Sequence, residues 1–101
     1  MGYSAKTAAF LIESRMADAA SGNIQALFDL GVAYSTGSGG VAVDLVEAHK
    51  WFNLAALNGS SEAQECRADI ADDMSAREIA EAQRQARAWL AVISPDRRAA
   101  A

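Results

Sequence analysis

The chain of 101 residues has one cysteine, one proline and one histidine. The single Cys66 rules out an internal disulfide, so the disulfide framework that stabilises many small secreted proteins is missing. The longest apolar run near the N-terminus, residues 8–12, is too short for a signal peptide or a membrane span. We therefore expect a protein of the reducing cytoplasm with no membrane partner.

Basic residues are also few. The chain has nine Lys and Arg residues and thirteen Asp and Glu residues, which gives a net charge of −4. Neither half of the chain has a basic patch. Binding to a phosphate backbone needs clustered basic side chains, so we do not expect a nucleic-acid partner. Hydrophobic residues make up 51% of the chain, which excludes an intrinsically disordered protein and supplies one modest core.

The apolar residues that are present recur at helical spacing. No stretch alternates apolar and polar residues as a half-buried strand does, so the sequence predicts an all-α fold. Capping residues mark three helix starts: Asn23, Asp44 and the capping box of Ser75 with Glu78. The five predicted helices span residues 4–20, Asn23 to the glycine-rich stretch 36–40, Asp44 to Gly59, 60 or 61 to 72, and 75–93.

One segment of the sequence returns after 37 residues. Gly22–Ala26 has its counterpart in Gly59–Ala63, and each time a glycine ends one helix and a short polar residue caps the next. A helix pair that recurs at such an interval is typical of an α-solenoid, in which neighbouring units cover each other's apolar faces.

Between the two glycines the chain resembles the Sel1-like repeat, a relative of the tetratricopeptide repeat. The resemblance implies about five antiparallel helices in a short right-handed superhelix. Gly40 departs from the pattern and lengthens the loop by one residue. The positions that carry the resemblance are Ala26, Leu30, Gly31, Tyr34, Gly37, Gly39, Val41, Asp44, Glu47, Ala48, Trp51, Ala55, Ala56 and Gly59.

The flanks match this pattern less closely. We interpret 1–93 as one domain with a degenerate half repeat at 4–21, a full repeat at 22–59, a partial repeat at 60–72 and a capping helix at 75–93. In the partial repeat Arg67-Ala68 replaces the expected Leu-Gly. Residues 94–101 are predicted to be a flexible tail, and the ending resembles short Sel1-like proteins of α-proteobacteria.

The sequence offers little for catalysis. His49 lies opposite the stripe of Ala48, Trp51 and Ala55, so we expect it to be exposed, with no nucleophile or orienting partner nearby. We expect Cys66 to be a buried structural thiol. The acidic residues at 65, 69, 72 and 73 lack the spacing of a calcium loop, so we expect no metal, cofactor or catalytic site.

The leading hypothesis is a non-catalytic adapter that binds a partner peptide or helix on its concave face. The candidate contact residues are Asp29 and Ala33 on the floor of the groove, with His49 and Asn53 at its edge. A homo-oligomer or a small subunit of a larger complex stays open as the alternative. A hydrolase like certain cysteine-rich relatives is a remote third, because those proteins pair cysteines and this chain has one.

Overall fold

The structure, a computed structural model, describes the backbone of residues 5–93 and the side chains of residues 10–93. The predicted tail, 94–101, lies outside the described residues. Within them the chain is helical and has no strand, which confirms the all-α prediction. The helices are α1 (Ala5–Ala20), α2 (Ile24–Thr36), α3 (Leu45–Leu57), α4 (Ser61–Ala71) and α5 (Ala76–Ile93), with a 3₁₀ turn at Ser38–Gly40.

Side-chain caps begin the helices where the sequence predicts them. Each capping oxygen accepts a hydrogen bond from a backbone N–H three residues on, which satisfies one of the free donors of the first turn. In the last helix Glu78 also accepts from the backbone N–H of Ser75 at 2.8 Å, so the capping box is complete. The capping pairs are Asn23 with Ala26, Asp44 with Glu47, Ser60 with Ala63, and Ser75 with Glu78.

Two glycines let the chain leave its helices. Gly37 has a φ of 78° and donates its N–H to the Ala33 carbonyl, and Gly59 has a φ of 104°. L-residues with a side chain rarely adopt such angles. Both glycines therefore end a helix in the left-handed conformation that reverses the chain.

α3 is the central helix. It packs against α2, α4 and α5, while α1 packs against α2. Because neighbours surround α3 on three sides, its buried arc is wide and only a narrow strip faces solvent. The largest fully buried side chains of the core are Trp51, Phe52, Leu27, Leu30 and Leu54.

The closest approach between α2 and α3 occurs at Gly31. A Cβ atom at this position would lie 2.5 Å from ring carbons of Phe52, well inside van der Waals contact. Phe28 on α2 packs against the same ring, with the two ring centroids 5.6 Å apart. The absence of a side chain at Gly31 is thus what allows the two helices of the repeat to pack this closely.

Candidate functional site

Trp51 anchors the centre of the molecule. Its indole is buried, and Nε1 donates a hydrogen bond to Oε2 of Glu47 at 3.0 Å. Trp89 of α5 meets it edge to face, with ring centroids 4.9 Å apart. Lys50 lies over the Trp51 ring and pairs with Glu47. The contact with Trp89 joins α3 to α5, whereas Glu47 and Lys50 hold the indole within α3. Trp51 therefore has a packing role.

The other residues of the repeat pattern also pack or shape the backbone. Together with Trp51, five of them are buried where helices meet: Ala26, Leu30, Gly31, Ala48 and Ala55. Tyr34 and Ala56 are half-buried beside them. Gly37, Gly39, Asp44 and Gly59 turn the chain or cap a helix.

A family model described as the Sel1 repeat matches residues 24–60, from the first residue of α2 to the N-cap of α4. Residues 24–60 are the part of the chain that matches the Sel1 repeat, and we refer to them by that name. Its motif positions are the packing and capping positions seen in the structure, and repeats of this family generally mediate protein–protein interaction. No curated protein and no solved structure matches the chain. The resemblance to α-proteobacterial proteins stays a prediction.

α2 is the first helix of the Sel1 repeat, and α4 is the helix that follows the repeat. Both helices pack on α3, and they contact each other. We call their outer faces the α2–α4 surface. Asp29 is half-buried on α2 and accepts a hydrogen bond from Nε2 of Gln25 at 2.8 Å. Asn53 is half-buried on α3, where its Oδ1 accepts a hydrogen bond from Arg67 of α4. Both side chains have the partial exposure that a contact residue needs.

Ala33 and His49 are placed differently from our expectation. Their exposed fractions are 1% and 4%, so neither side chain is available to a partner, and the expected exposure of His49 is wrong. The sequence pattern predicts one buried stripe for each helix. Because α2 lies between α1 and α3, and α3 has three neighbours, each helix buries a second stripe as well.

A polar cluster joins α3 to α4. We call His49, Asn53 and Arg67 the α3–α4 seam. Nδ1 of His49 is buried and has no hydrogen-bond partner in the described part of the chain. Burial lowers the pKa of His49 below its ordinary value of 6.5, and the charge of Arg67 lowers it further.

Arg67 has a role in this seam that the sequence reasoning did not assign. It stands 37 residues after Leu30, at a position that is fully buried in the Sel1 repeat. A charged residue in place of a core leucine needs a polar partner or an exit to solvent. The presence of arginine where the Sel1 repeat has leucine was the sequence signal for a polar contact at this position. Asn53 is the polar partner of Arg67.

Cys66, for which we expected a buried structural thiol, is half-buried on α4 and packs against the core. Burial raises the pKa of its thiol, and the negative charges of Glu62, Asp69 and Glu65 raise that pKa further. The neutral thiol is a poor nucleophile, which favours a structural role. The described residues bring together no group of His, Cys, Asp or Glu suited to a metal ion.

A cleft of about 130 Å³ opens at the end of the bundle where α1, α3 and α5 finish. We call it the end cleft. None of its lining residues is charged: Ala19, Ala20, Ser21, Gly22, Leu27, Leu54, Asn58, Trp89, Leu90 and Ile93. Three large apolar residues next to it in sequence, Ile24, Leu57 and Val92, are exposed. No helix among residues 5–93 is long and apolar enough to cross a membrane.

Proposed function

We propose that this protein is a non-catalytic adapter of the cytoplasm that binds a peptide or helix of a partner protein on the α2–α4 surface. The observation that carries the proposal is the Sel1 repeat at residues 24–60, since this family mediates protein interaction. Asp29 is the contact residue we retain on that surface, and Asn53 of α3 is retained at its edge. Ala33 and His49 serve the fold beneath that surface.

Two features of the side chains favour this surface. Phe28 and Val32 on α2 are half-buried, so each offers part of an apolar side chain to a partner. The carboxylate of Asp29 can accept more hydrogen bonds than the one from Gln25, because a carboxylate has about four acceptor sites. Apolar area with a few hydrogen-bonding groups is the usual chemistry of peptide grooves.

The residues that carry catalysis elsewhere have structural positions here. His49 is buried, and the Cys66 thiol has a raised pKa. A general base has to reach its substrate within hydrogen-bond distance, and His49 has no such access. These placements support an adapter rather than a hydrolase.

We expect Asp29→Lys to abolish capture of the partner by tagged protein at native expression, because it reverses a charge on the binding surface without changing the core. The matched control is Glu13→Lys, a charge reversal at an exposed position of α1. Crosslinked complexes are identified by mass spectrometry, and circular dichroism checks that both variants fold. A partner retained equally by wild type, Asp29→Lys and Glu13→Lys would contradict the proposed surface.

A second candidate function is self-association through the end cleft. The observation that favours it is the uncharged lining beside exposed Leu57 and Val92, since interface cores are depleted of charge. If the protein is a dimer at tens of micromolar, the variant with Leu57→Glu and Val92→Glu should be monomeric by light scattering. Val43→Glu, an exposed apolar residue before the start of α3, should leave the mass unchanged. A monomeric wild type would eliminate this candidate.

A further inference from the structure

The α3–α4 seam contains an imidazole whose Nδ1 atom has no hydrogen-bond partner among the described residues. Nδ1 of His49 is buried and unpartnered, and the side chain is 4% exposed. One helical turn further along α3, Asn53 already binds the guanidinium of Arg67. An imidazolium at His49 would carry an N–H donor on each ring nitrogen, so Nδ1 would need an acceptor, and the described residues offer it none.

The charges around His49 disfavour its protonation. Of the helices packed on α3, α4 contributes Arg67, whose positive charge acts directly on His49. Cys66 on the same helix stays a neutral thiol. Among the described residues no carboxylate forms an ion pair with His49 that would offset the charge of Arg67. Glu47, the nearest acid along α3, is paired with Lys50 and the Trp51 indole.

α4 packs along α3 but buries few of its side chains completely. Ala63 is its one fully buried residue, whereas α2 and α3 each bury five or more. A helix with so little buried apolar area opens at a lower free energy than the core helices beside it. We therefore expect a free-energy cost in the α3–α4 seam to open α4 before the core helices.

We propose that the α3–α4 seam is an acid-sensitive latch, in which proton uptake by His49 releases α4 from α3. In the closed state a proton on His49 would be buried without an acceptor and next to Arg67. In the open state the imidazole is in water and takes up a proton below about pH 6.5. The latch does not depend on the partner-binding proposal, because it concerns only the helices of this chain.

The sign and size of the effect follow from proton linkage. The open state binds more protons than the closed state once the pH falls below 6.5, so acid favours opening. One proton taken up on opening raises the opening constant by at most about tenfold for each pH unit. The effect levels off when the pH reaches the lowered pKa of the closed state.

Hydrogen exchange of the full chain tests the latch. Protection factors of the α4 amides, corrected for intrinsic exchange, are measured from pH 7.5 to 5.5, above the range where ordinary Asp and Glu titrate. We expect α4 protection to fall about threefold to tenfold over this range, while α2 and α3 protection changes less than twofold. In His49→Gln, which does not titrate, α4 protection should be independent of pH. In Arg67→Met, which keeps the apolar stem, the pH response should shrink.

Three results would overturn the latch. The first is a protection factor of the α4 amides that does not depend on pH. The second is an equal loss of protection in α2, α3 and α4 as the pH falls. The third is a pH response of α4 protection in His49→Gln that equals that of the wild type. If His49→Gln does not fold, the ring protons of His49 are followed by NMR in the wild type. Titration of folded protein near pH 6.5 with α4 still protected would then exclude the mechanism.

Discussion

Replacing Trp51 with alanine is expected to lower the free energy of unfolding by about 3–5 kcal/mol. The side chain is buried at the junction of α3 and α5, so its loss opens a cavity beneath Trp89. It also leaves the Glu47 carboxylate without its indole donor. A domain of this size is stable by roughly 5–15 kcal/mol, so the variant should be close to unfolding at 37 °C.

Urea denaturation followed by circular dichroism measures this effect without depending on tryptophan fluorescence. Trp89→Ala is the matched control, because it removes the other ring of the pair from a half-buried position. We expect a smaller loss for Trp89→Ala than for Trp51→Ala. A loss below about 1 kcal/mol for Trp51→Ala would show that the ring does not hold α3 on α5, since truncation of a buried aromatic residue costs several times more.

Gly31→Val is expected to destabilise the protein by about 3 kcal/mol, although valine has a better helix propensity than glycine. The first atom of any side chain at this position would lie 2.5 Å from the buried Phe52 ring. That ring has little room to move, because Phe28 packs against it and its exposed fraction is 1%. The two helices of the Sel1 repeat must therefore separate to admit the side chain.

Ala68 supplies the control, because it stands 37 residues after Gly31 and is exposed. Ala68→Val should lower the free energy of unfolding only by the helix-propensity difference, which is below about 1 kcal/mol. In addition, Phe52→Leu should reduce the penalty of Gly31→Ala, which a double-mutant cycle measures as a coupling energy. Equal effects at positions 31 and 68 would contradict the close approach.

The helix pattern was predictable because it rests on local chemistry. Asn23, Asp44 and Ser75 begin helices through hydrogen bonds to N–H groups three residues on, so a short stretch of sequence fixes each start. The observed boundaries agree with the predicted ones to within about two residues. The Sel1 repeat was readable for the same reason, since its motif residues are packing and capping residues.

Burial on the sides of a helix that lie away from its main apolar stripe was not predictable from one helix at a time. His49 and Ala33 lie outside the main apolar stripes, and only the positions of α1, α4 and α5 decide whether those sides are covered. Crossing angles depend on side chains from both helices, which periodicity along one helix does not report. The hydrogen bond between Asn53 and Arg67 likewise joins two helices, through residues fourteen apart in the sequence, so the pattern of one helix does not predict it.

The central claim, that a partner protein docks on the α2–α4 surface, is tested most directly by site-specific photocrosslinking in the protein's native cells. A photoreactive amino acid is placed at Gln25 or Asp29, which share one face of α2, and at the exposed Arg87 of α5 as control. We predict one reproducible crosslinked protein from positions 25 and 29 and none from position 87. The same product from position 87, or crosslinks only between copies of this chain, would contradict the claim.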